Sequence, residues 1–233
     1  MDIAYLEKME WKYNFKYPSI YEELCKKGML NTGKYGPDWA KTELPKYIET
    51  PSLLLLASDF ELIEEDKIEE AIDAIKDPDY PGIKPELQFI PFAQSGGGDN
   101  ICFYFNEQEG NNIPVAYVWH DSSKFDVHAR NLEDYIFRRL LDTVSSINEN
   151  SYIYQNPQFK FKLLETHKEY ITERQFDILK DIYSREMQEF IWTSPNGLYS
   201  ETYLGLLNKA ELGDILKQEI DFPLLGSSFP LYD

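Results

Sequence analysis

The stretch WHDSSKFDVHAR, residues 119–130, is where this chain comes nearest to a catalytic signature. His120 followed by Asp121 has the residue types of a metal phosphohydrolase pair, and His128 offers a second imidazole nearby. A hydrolytic metal centre needs further histidines and a distant aspartate, so that several ligands converge on one ion. The remaining histidine is His167, far along the chain, and His120 itself ends an apolar, strand-like run. The pair therefore reads as a strand end followed by a turn, with Asp121 as the side chain that forms the turn. Nucleophilic chemistry has no better candidate. There is no G-x-S-x-G, and Cys25 and Cys102 lie in apolar contexts without an identifiable base. Two buried free thiols in a reducing cytoplasm are expected. No catalytic, cofactor-binding or metal-binding residue is assigned.

A second stretch, FIPFAQSGGGDNICFYF over residues 89–105, places Gly96, Gly97 and Gly98 between two apolar runs. A phosphate-binding loop would need a lysine and a hydroxyl after the last glycine, with a helix beyond. Here Asp99 and Asn100 follow, then another strand pattern. An aspartate repels phosphate. The glycines are expected to form a turn between antiparallel strands, all three through their tolerance of positive φ, with Asp99 contributing turn chemistry.

The elements that must position these residues follow from periodicity. Helical patterns cover the opening DIAYLEKMEWKY and then SIYEELCKKG, which starts after Pro18 and ends at Gly28. Residues 31–50 read as a loop, and PSLLLLAS as a buried strand. An acidic segment follows, with Ile68, Ala71, Ile72 and Ile75 on one helical face. DPDYPGIKPE reads as a proline-rich loop. Gln88–Ala93, Asn100–Asn106 and Pro114–Trp119 are expected as adjacent antiparallel strands, with FDVHAR as a short fourth. Asn131 caps a helix through Val144, and Thr172 with Gln175 forms a capping box for the next. A further helical pattern covers NKAELGDILKQEI, and the end, DFPLLGSSFPLYD, reads as irregular. The expected organisation is an α+β domain over 1–147 and a mostly helical extension over 148–233 packed on it through Phe176, Ile178, Leu179 and Ile182.

In their order along the chain, YPSIYEELCKKG, FIPFAQSGGGDNICFYF, PVAYVWHD and ARNLEDYIFRRLL resemble the SUKH superfamily, the Smi/Knr-type immunity proteins. The resemblance covers about residues 10–145 and is most specific from Phe89 to Leu141. It implies an α+β fold with a central, largely antiparallel sheet and helices packed on it. It also implies a binding protein, not a catalyst, that occludes the toxin domain of a bacterial toxin system. The fungal branch of the family implies an alternative, a regulatory or scaffold protein of cell-envelope synthesis. The loop 31–50 and the tail beyond 148 depart from the family pattern.

Charge bears on the partner. With 41 acidic and 23 basic residues the chain carries −18, which repels nucleic acid and steers a basic surface toward it. Asp66, Glu69, Glu70 and Asp73 share one face of the acidic helix at like-charge spacings that weaken an isolated helix, with Lys67 and Lys76 as local offsets. These four are the candidate contacts to a basic toxin domain, with nucleases the favoured class. The start MDIAYLEKMEW lacks a secretory pattern, and the run LLLLA is too short to span a bilayer, so a cytoplasmic protein without membrane contact is expected.

Overall fold

The computed structural model describes residues 1–77 and 83–232, so residues 78–82 of the expected proline-rich loop lie outside the described residues. Helix α1 (Ile3–Tyr13) starts where the Asp2 carboxylate accepts the Tyr5 N–H at 2.8 Å, and it buries Leu6 and Met9. Helix α2 (Ser19–Lys26) begins after Pro18 and stops before Gly28, whose φ of 73° favours glycine. The segment 31–50 holds two single-turn helices, α3 (Trp39–Thr42) and α4 (Leu44–Tyr47), where a plain loop was expected. Strand β1 (Glu61–Leu62) and helix α5 (Glu65–Lys76) follow.

The run Leu53–Leu56 is not a strand. Leu54 and Leu56 have φ of 49° and 60°, which breaks an extended chain into successive turns. Two of its donors are spent on distant partners. Leu53 N–H reaches Met29 O at 2.8 Å, and Leu54 N–H reaches His167 Nε2 at 2.9 Å. Burial was legible in the apolar run, but the partners that impose the turns come from α2's end and from the tail.

The predicted antiparallel strands are β2 (Phe89–Gln94), β3 (Asn100–Tyr104) and β4 (Val115–Val118), followed by β5 (Lys124–Ala129). They form the middle of a sheet ordered β1-β2-β3-β4-β5, antiparallel throughout, among the described residues. Alternation along β3 sends Ile101 and Phe103 into the larger apolar core and Cys102 and Tyr104 into a second one. Helix α6 (Leu132–Ser145), capped by Asn131 accepting the Asp134 N–H at 2.9 Å, supplies Tyr135, Ile136 and Leu140 to the first core.

The tail continues with α7 (Tyr152–Gln155), α8 (Phe159–His167) and α9 (Glu173–Ser184). The Thr172–Gln175 capping box of α9 is present. Leu179 and Ile182 are buried, while Phe176 and Ile178 pack against the core half-buried. Two features differ from expectation. Strands β6 (Gln188–Thr193) and β7 (Ser200–Gly205) form a separate hairpin before helix α10 (Lys209–Glu219). The C-terminal segment, expected as irregular, includes strand β8 (Ser228–Pro230), which extends the sheet at β5 and buries Leu231 in the second core. Both cysteines are buried free thiols. No helix among the described residues is long and apolar enough to cross a membrane.

His167 ties tail to domain and is fully buried. Its Nδ1–H donates to Leu163 O at 2.7 Å, leaving Nε2 to accept from Leu54. Burial pulls its pKa down from 6.5 to about 4. A depressed folded pKa means the stabilisation is complete above pH 6.5 and declines as pH falls toward 4. Chemical denaturation at pH 7 and pH 5 should show a loss from this group on the order of 2 kcal/mol. Replacing His167→Gln, which keeps one acceptor and one donor, should remove that part of the slope. Equal acid sensitivity in the two proteins would refute it.

Candidate functional site

The glycine turn is built on Ser95 and Asp99. Ser95 N–H donates to Asp99 O at 2.9 Å, and Ser95 Oγ accepts the N–H groups of Gly97 and Asp99 at 3.2 and 3.0 Å. Of the three glycines only Gly98 lies at positive φ, 92°. The expectation that all three serve that purpose is corrected, because Gly96 and Gly97 act through their N–H groups. Gly96 N–H reaches Asp59 Oδ1 at 3.3 Å.

The Asp99 carboxylate is the centre of the arrangement. Oδ2 accepts from Ser95 Oγ at 2.9 Å and from Tyr117 OH at 2.7 Å. Oδ1 accepts from the His120 backbone N–H at 3.0 Å and lies 2.7 Å from His120 Nδ1. These contacts fill the four lone-pair directions of an ionised carboxylate. Burial pushes this carboxyl up, but the donors of His120, Tyr117 and Ser95 outweigh it and hold it at about 2. The His120 imidazole is raised in turn, chiefly by its hydrogen bond to Asp99. Tyr117 OH also meets Asp59 Oδ2 at 3.0 Å, and its ring stacks on His128 with centroids 5.1 Å apart.

Asp99, His120 and Asp121 each bring one potential ligand atom within 4.8 Å of the others. Asp99 and Nδ1 of His120 are already spent on one another, so this pair serves to fasten the loop after β4 to the turn after β2. His128 is not brought into it, and its buried Nδ1 has no hydrogen-bond partner among the described residues. The turn-forming role expected of Asp121 belongs to Asp99, since Asp121 makes no hydrogen bond among the described residues. Asp59, Ser95 and Tyr117 were not singled out from the sequence. Ser95, four residues before Asp99, carried a local turn signal, whereas Asp59 and Tyr117 arrive only through the sheet.

The acidic face of α5 lies opposite buried Ile68, Ile72 and Ile75. Its charges are offset by more than Lys67 and Lys76. Glu69 pairs with Lys8 at 3.1 Å and Lys12 at 2.7 Å, and Asp73 accepts from Tyr13 OH at 2.5 Å. Asp66 lies 3.9 Å from Lys34. Glu70 is exposed and has no ion pair among the described residues. The lysines come from α1 and the 31–50 segment, so local spacing did not reveal them.

The sequence pattern of the SMI1/KNR4 family (SUKH-1) matches residues 2–138. The chain belongs to this family. Searches of curated proteins and of solved structures returned no match. The matched part of this SUKH-1 chain contains the whole Asp99 arrangement and the α5 face, and it ends within α6. Everything from α7 onward lies beyond the match.

Replacing Asp99→Ala strands the Ser95, Tyr117 and His120 donors and is expected to lower unfolding free energy by about 2–4 kcal/mol. The raised His120 pKa contributes stability that is complete below pH 6.5 and is lost as pH rises through the folded value. An NMR titration should place the His120 midpoint above 6.5, and Asp99→Asn should bring it down. An unchanged midpoint would mean that Asp99 does not govern this imidazole.

Proposed function

We propose that this SUKH-1 chain is a non-catalytic immunity protein that binds a toxin domain of basic surface, with a nuclease favoured, and neutralises it by stoichiometric occlusion in the cytoplasm. The family match over residues 2–138 carries the reading. The chain's −18 charge agrees with it, because a groove that must hold phosphates is basic and is drawn toward such a surface. The cluster of Asp99, His120 and Asp121 is compatible with it, since Asp99 spends its oxygens on the protein's own donors. Direct nucleic-acid binding is disfavoured by the same charge.

On α5, Glu70 has no ion pair among the described residues and Asp66 meets only the exposed Lys34, whereas Glu69 and Asp73 also hold α1. The decisive experiment is a pull-down with the toxin domain encoded next to this gene, together with growth rescue on co-expression. Capture and rescue are expected, and failure of both would overturn the reading. Reversing Asp66→Lys and Glu70→Lys should leave folding intact and slow association several-fold at low salt. The difference should fade as salt shortens the screening length to roughly 3 Å at 1 M. An unchanged association rate would remove α5 from the interface.

A further inference from the structure

Between the leucine turn and the 32–39 segment lies a cleft of about 390 Å³, a size suited to a small group held on several sides. Leu53–Ala57 supply apolar surface. Tyr35 and Trp39 supply an aromatic pair with centroids 5.0 Å apart, and Tyr152 of α7 adds a third ring. Asp59 and Glu61 are the charged residues in the lining, which contains no lysine, arginine or histidine.

The parts are fixed in place. Trp39 Nε1–H donates to Thr32 O at 2.8 Å, and Tyr35 N–H donates to Glu64 Oε1 at 2.6 Å. Asp59 is held from the sheet side by Gly96 and Tyr117. Glu61 is exposed and has no ion pair among the described residues. Burial, with the charges of Glu61 and Glu64, pushes the Tyr35 hydroxyl up. Backbone strain gathers here too. Of the four non-glycine residues at positive φ among the described residues, Leu54, Leu56 and Asp59 line this cleft, and such strain concentrates at binding sites.

Aromatic faces beside uncompensated carboxylates attract a flat, weakly hydrated cation, and a guanidinium suits them better than an ammonium. The larger hollow between α9 and α10 differs, because its own Arg174 and Arg185 are paired with Glu219, Asp181 and Glu211. We infer that the cleft between Trp39, the leucine turn and Glu61 receives an arginine side chain of the protein partner. The inference rests on the proposed reading of that partner as a basic protein.

The test titrates N-acetyl-arginine methylamide while following the Trp39 indole N–H resonance, assigned with a Trp39→Phe variant. A saturable shift with a Kd of roughly 1–10 mM is expected for one anchored side chain. The uncharged citrulline analogue should bind at least about fivefold more weakly, and Glu61→Lys, which places a cation in the cleft, should abolish saturation. A non-saturating response, or equal binding of the citrulline analogue, would overturn the inference. A captured toxin domain gives the second arm. Glu61→Lys should weaken its binding at least about tenfold, and undiminished binding would overturn the cleft assignment while leaving the immunity reading in place. Saturable arginine binding without toxin capture would support the cleft and count against that reading.

Discussion

A sheet with apolar side chains on both faces must be covered twice. In β3, Ile101 and Phe103 point into one core while Cys102 and Tyr104 point into the other, and both sets are buried. Each buried side chain of this size is worth about 1.5–3 kcal/mol, so leaving either face in water would forfeit much of the stability of a chain this long. Helices α1, α2 and α6 cover the first face. The second is closed by the end of α5 and by the C-terminal segment, with Phe222, Leu224 and Leu231 brought over it. The C-terminal segment thereby covers part of the second face.

Residues beyond the family match shape the matched part on the first face as well. His167 donates one ring hydrogen within α8 and accepts the Leu54 N–H, so a tail residue holds a left-handed turn in the matched domain. Arg139 and Thr143 of α6 hold both backbone groups of Ser58 beside it. Asp59 follows and joins the turn to Asp99 through Tyr117. The cleft beside Trp39 lies along this line of contacts, with Tyr152 from the tail on its edge.

Electrostatics divides the acid into two kinds. Asp99 is buried and has its donors arranged around it, which keeps it ionised far below neutrality. Glu69 and Asp73 meet lysines and a tyrosine at the surface, where solvent screens such pairs. What remains uncompensated, including Glu70 and Glu61, faces solvent and gives the chain its field. In the immunity reading that field speeds encounter, while shape and buried contacts decide affinity.

The middle strands, the capped helices and the place of the glycine turn were legible in the residues alone. Each depends on signals a few residues apart: alternation in β3, Asn131 before Leu132, and the Thr172–Gln175 box. The sequence also carried the family, through the motifs from Phe89 to Leu141. Tertiary structure alone decided that Leu53–Leu56 turns instead of extending, because His167 lies 113 positions from Leu54. It alone placed Asp59 and Tyr117 on Asp99's network and gave Glu69 the lysines of α1. It alone enlisted the C-terminal residues as an edge strand, since a three-residue strand such as Ser228–Pro230 has too little pattern to read and forms only where β5 offers free backbone groups.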